Sequence, residues 1–165
     1  MLVPSLKVGT YDQSPEMSAE DITKNAVEKI ESRKYGFILI NFANADMVGH
    51  SGNITATVRA VEKVDECLGR IVGVWRAQAE DLSVVVTADH GNAEKMFDEK
   101  TNQPHTAHTS NPIPLVLVSK KWRISVPQGH RSGLIDVAPS ILAMMGLEKP
   151  KQMTGQCIFT SVPRT

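Results

Sequence analysis

The chain has 165 residues, 41% of them apolar and 22% charged, with 18 basic and 18 acidic side chains. That length suits a single domain over 1–165, able to bury roughly 70% of its unfolded surface without disulfide or metal staples. The zero net charge argues against a nucleic-acid partner or an anionic membrane surface, because no cationic excess drives binding through counterion release. It leaves room for a small anionic substrate, which one local metal or arginine can hold.

In chain order, "PEMSAEDITKNAVEKIESRKY" reads as a helix start. Ser18 is the candidate N-cap, Glu20 and Asp21 put negative charge in the first turn, and Ile22, Ala26 and Ile30 share a face. "GFILINF", 36–42, is a short apolar run of the kind that forms a buried strand. "ANADMVGHSGN" is rich in Asn, Gly and Ser and reads as a loop. From Ile54 to Gln78 the positions Ile54, Val58, Val61, Val64, Leu68, Ile71 and Trp75 predict a helix with one apolar face. Leu82 to Thr87 reads as a second strand and "IPLVLVS" as a third, with Pro114 at its start and an irregular segment, 88–111, between the two. After an irregular stretch or hairpin over 120–132, "DVAPSILAMMGL" reads as a helix capped by Asp136 and ended by Gly146.

Strands alternating with helices predict an α/β fold with a mainly parallel sheet flanked by helices. In such sheets ligands bind beyond the carboxyl ends of the strands, so the two long loops should open on one edge. Cys67 falls within a helical apolar pattern, and a buried free thiol is favoured over a disulfide, as in a reducing compartment. No signal-peptide pattern opens the chain and no apolar run nears the roughly 20 residues that span a bilayer, so the expected location is cytoplasmic, with no membrane partner.

Four of the five histidines fall in the two loops: His50 in the first, with Asp46, and His90, His105 and His108 in the second, with Asp89. Imidazoles and carboxylates together suit Zn, Mn, Fe or Co better than Ca or Mg. The Asp46–x–x–x–His50 spacing returns both side chains to one ion if the loop closes into a turn, and a tight turn at Gly91 could direct Asp89 and His90 into the same region. Each also has an ordinary reading, as a turn aspartate or an exposed loop histidine. His105 and His130 are assigned that ordinary reading, and Ser51 that of a loop serine. No Walker-type phosphate loop and no Gly-x-Ser-x-Gly elbow occurs.

The blocks "KVGTYDQSPEMSA", "NFANADMVGHSGN", "VVVTADHGNAE", "HTAHTSNPIPLVLVS", "GLIDVAPSILAMMGL" and "MTG" stand in an order that resembles cofactor-independent phosphoglycerate mutase, of the alkaline phosphatase superfamily. The resemblance covers nearly the whole chain. It implies that Asp46, His50 and His108 hold one divalent metal and that Asp89 and His90 hold another. Manganese is the first expectation, with zinc, iron or cobalt as alternatives and no 2,3-bisphosphoglycerate requirement. It implies interconversion of 3-phosphoglycerate and 2-phosphoglycerate through a metal-activated serine. It also implies an alkaline-phosphatase-like fold, here incomplete, because family members are much longer and no serine in this chain matches the nucleophile. The expectation is a C-terminal portion of the phosphatase-like domain, inactive alone and prone to self-association, from a monomeric parent. The rivals are another hydrolase or a phosphopentomutase of the superfamily, and a metal-binding domain without catalysis.

Overall fold

A computed structural model describes residues 1–78 and 82–163. They form two compact units: 1–77 with 90–113, and 78–89 with 114–165. The first unit contains three helices, α1 (Ala19–Glu31), α2 (Asn44–Gly49) and α3 (Ile54–Gln78, which ends at the boundary), and a short hairpin. The second contains β1 (Val84–Thr87) and, after the return of the chain, three further strands, a 3-10 turn and a helix.

α1 begins where its sequence predicts, but Ser18 does not cap it: the hydroxyl donates instead to the Pro4 carbonyl at 2.7 Å. Ala19, Thr23 and Ala26 are its buried residues, so the covered face is turned slightly from the predicted Ile22–Ala26–Ile30 stripe. The predicted loop after residue 42 instead contains the helix α2. Asn44 makes the difference, because its amide donates to the carbonyls of Pro15 and Glu16, both at 2.9 Å, and anchors a turn that composition alone assigns to loop. Val48 is fully buried one turn later and forms the local core with Ala56 and Ala60, against which Tyr11 and Met17 pack.

α3 is capped by Asn53, whose Oδ1 accepts from the Ala56 N–H at 3.1 Å. Its buried face is Ala56, Thr57, Ala60, Cys67 and Ile71. Of the predicted apolar stripe, Ile54, Val58 and Val61 are about half exposed and line an open groove of about 260 Å³ with Ala93 and Met96. The helix is rotated because small Ala56 and Ala60 admit Val48 closely and because its bases reach α1 and the turn before it: Arg59 pairs with Glu16 of the turn at 2.9 Å and Lys63 with Glu20 of α1 at 3.2 Å. Cys67 is a buried free thiol against the Ala19 carbonyl, and Cys157 is also free.

The strand prediction for 36–42 is corrected. The segment forms no regular secondary structure and pairs with no strand among the described residues, with Phe37 and Leu39 exposed and Ile38, Ile40 and Phe42 half-buried. An apolar run expresses a preference for burial, whereas a strand also needs a neighbour to accept its hydrogen bonds. The mainly parallel sheet is corrected too. The described strands form three two-stranded antiparallel pairs. β1 pairs with β4 (Leu115–Val118) with Val84 opposite Val118 and Thr87 opposite Leu115. No helix occurs between them to carry a parallel crossover; β2 (Phe97–Asp98) and β3 (Gln103–Pro104) form a hairpin there. β5 (Trp122–Ile124) pairs with β6 (Phe159–Ser161), a partner too distant in sequence for local patterning to suggest.

In the second unit α4 (Val137–Met144) follows a 3-10 turn over Leu134–Asp136 and ends as its sequence predicts, with Gly146 at φ +68 and the Leu147 N–H bonded to the Leu142 carbonyl at 2.9 Å. The Asp136 side chain does not cap α4. It is fully buried and accepts from His130 Nε2 at 2.8 Å and from the backbone N–H groups of Gly133 at 2.9 Å and Gln156 at 2.8 Å. His130, read as ordinary from the sequence, is thus half of a buried clasp. Beside it Gly155 lies so close to Ile135 that a Cβ would overlap the Ile135 carbonyl oxygen. Gly155→Ala should therefore destabilise the second unit by about 1–3 kcal/mol, seen as faster amide exchange through α4; wild-type exchange would remove the steric argument.

No described helix is long and apolar enough to cross a membrane.

Candidate metal centre

α2 and the return loop of the first unit build the site. One turn of helix separates Asp46 from His50, so the i,i+4 spacing brings both side chains to one side. His108 arrives from 58 residues further on. Its loop is held by a bridge between Thr109 and Gly91, with the Thr109 N–H bonded to the Gly91 carbonyl at 2.8 Å. Glu94 reinforces it by accepting from the Thr109 hydroxyl and, at 2.9 Å, from the Asn111 amide. Those donors outweigh the opposing effect of burial and hold the Glu94 carboxyl below the usual range, the Thr109 hydroxyl contributing most.

Three ligand atoms converge. Asp46 Oδ1 lies 3.3 Å from His50 Nε2 and 3.1 Å from His108 Nε2, and the two imidazole nitrogens are 3.1 Å apart. Atoms about 2.0–2.2 Å from one transition-metal ion are separated by roughly this much at tetrahedral or octahedral angles. The donor set fits as well, two nitrogens and one carboxylate oxygen being suited to first-row divalent ions. His50 is already oriented as a ligand. Its Nδ1–H donates to the Thr106 carbonyl at 2.7 Å, which leaves the Nε2 lone pair facing Asp46 and His108. All three side chains keep a third to a half of their surface open, so an ion can reach them.

Of the five predicted ligands, Asp46, His50 and His108 form the one metal-competent cluster among the described residues. His90 stands beside it: its ring stacks on His108 with centroids 3.8 Å apart, and its Nδ1 is 4.0 Å from Asp46 Oδ1. Asp89 is exposed and belongs to the second unit. His105 is not in the cluster; its backbone N–H closes the hairpin on the Met96 carbonyl at 3.0 Å. Sequence reading missed Asn92, which donates to Asp46 Oδ1 at 2.8 Å, and Thr106. The Gly91-Asn92 pair carries only a turn signal, and a backbone carbonyl carries no sequence signal at all.

The chain belongs to the Metalloenzyme superfamily, whose family model matches residues 1–149, and its Asp–His–His cluster could hold a metal ion, as that class would require. Within it the chain is similar to proteins named 2,3-bisphosphoglycerate-independent phosphoglycerate mutase, in agreement with the motif blocks. It is 52% identical over 160 residues to that of Coxiella burnetii and 49% identical over 160 residues to that of Ruthia magnifica, covering 97% of this chain and 30% and 31% of those proteins. A crystal structure of Leishmania mexicana phosphoglycerate mutase at low cobalt concentration matches with a TM-score of 0.84 and 30% identity, over 97% of this chain and 31% of that one. The chain thus spans about a third of the length of the relatives it matches.

Proposed function

We propose that this chain is the metal-ligand-bearing portion of a phosphoglycerate mutase that interconverts 3- and 2-phosphoglycerate through a phosphoserine intermediate. The observation that carries the reading is the convergence of Asp46, His50 and His108 in a chain about half identical to mutases so named. The nucleophilic serine and the substrate-binding groups would be supplied by the rest of that parent.

In this reading Asp46, His50 and His108 hold one divalent ion, manganese by first expectation, while Asp89 and His90 contribute to a second. A bound divalent ion offsets charge on phosphoryl oxygens and lowers the pKa of a hydroxyl near it. The chain's own residues set the stage for that chemistry. Thr106 fixes the His50 tautomer, and the His90–His108 stack limits how the His108 ring can turn. Glu94 ties the segment after His90 to the segment after His108, so both rings are carried on one braced pair of loops.

Two measurements test the reading. Calorimetric titration with manganese chloride should show uptake at the Asp46–His50–His108 site; heats no larger than dilution would overturn the metal assignment. In an enolase-coupled assay the isolated chain should convert no 3-phosphoglycerate and the whole parent reading frame should; activity of the isolated chain would overturn the division of labour.

A further inference from the structure

Asn92 is 4% exposed, and among the described residues its amide nitrogen bonds only at the Asp46–His50–His108 cluster. Nδ2 donates to Asp46 Oδ1 at 2.8 Å, and it lies 3.5 Å from the Asp46 carbonyl oxygen and 3.4 Å from His50 Nε2. The other end of the amide has no comparable reward. Asn92 Oδ1 is buried without a hydrogen-bond partner among the described residues. It rests against Gly49, where any Cβ would overlap it. Buried acceptors are nearly always satisfied, so an amide held this way points to the value of its donor end.

The Asp46 carboxylate needs such a donor. Rotation about its terminal torsion is soft, and only one of its oxygens faces both imidazole nitrogens. We infer that Asn92 is a positioning residue, seated on Gly49, that locks the Asp46 carboxylate in the rotation required to bind a divalent ion together with His50 and His108. This rests on the metal-centre reading above. Asn92 would not itself be a ligand. Its N–H uses one lone-pair direction of Oδ1 and leaves the other for the metal, as outer partners of ligating carboxylates do. The absent side chain at Gly49 belongs to the same device, because a methyl group there would push the amide off Asp46.

The test uses the whole chain with manganese and cobalt ions as probes. Asn92→Leu keeps the shape of the side chain and removes the donor. It should bind both ions 10- to 100-fold more weakly by calorimetry, with a changed cobalt visible spectrum, while the metal-free melting temperature stays near wild type. Gly49→Ala should weaken binding to a similar extent, with the amide still present. Wild-type affinity and an unaltered cobalt spectrum in soluble Asn92→Leu would overturn the inference, leaving Asn92 as packing. If Asn92→Leu does not fold, Gly49→Ala and Asn92→Ala are read by the same criteria. Failure of the wild-type chain itself to bind either ion would overturn the metal-centre reading, and this inference with it. Binding by wild type that is unchanged in the variants would overturn this inference alone.

Discussion

Replacing His108 with alanine is expected to abolish the rise in melting temperature that manganese gives the wild-type chain. The side chain supplies one of three converging ligand atoms, 3.1 Å from each of the other two, and neither neighbour can replace it from its own short element. An ion at one hundred times its dissociation constant stabilises the folded state by about 2.7 kcal/mol, roughly 5–10 °C for a chain of this size. With His108 gone, Asp46 and His50 remain as a two-ligand site and the shift should fall to within error. Scanning calorimetry with and without manganese checks this. His50→Ala should behave alike, and an equal shift in either variant would reject the assignment. The metal-free variant should melt close to wild type, since His108 is half exposed and its polar partners, Asp46 and His50, are themselves partly exposed and can be hydrated in its place.

The second large effect belongs to Asp136. Asp136→Ala removes the acceptor of three donors from a fully buried position and leaves His130 and the Gly133 and Gln156 amides unanswered. The expected cost is about 3 kcal/mol, read by urea unfolding followed through Trp122 fluorescence. Burial pushes this carboxyl up, but the Gln156 amide, His130 and the Gly133 amide together outweigh it, and the net shift is downward from 3.8. A carboxyl whose folded pKa lies below its unfolded value adds stability that is complete above the unfolded value and is lost as pH falls through the folded one. Wild type should therefore lose stability on acidification below about pH 4, and Asp136→Asn should lose less over the same range. Parallel acid profiles for the two proteins would remove Asp136 from the acid response.

Helices were the most legible part of the fold, because a 3.6-residue period is written locally. α1, α3 and α4 lie where the apolar spacing and the Gly146 stop signal put them. The rotation of α3 was not legible. It depends on which side chains are small enough to be approached, and on acids 43 residues earlier in the chain. Strand pairing was the least legible. Apolar runs announce burial, yet 36–42 has no partner among the described residues, and β1 and β4 run antiparallel where alternation with helices suggested parallel.

For the site, residue types and spacing by themselves determined the chemistry on offer. Asp46–x–x–x–His50, Asp89-His90 and His108 are metal-competent side chains, and the motif blocks around them resemble one family. Only the tertiary structure decided which of them meet. Asp46 and His50 share a helical turn that Asn44 anchors from outside, and His108 is delivered by a loop bridged to Gly91. Only there does Asn92 change from a turn residue into the donor on Asp46. Ligand identity is a property of single residues and survives in the sequence. Convergence within about 3 Å depends on long-range contacts, which no local pattern encodes.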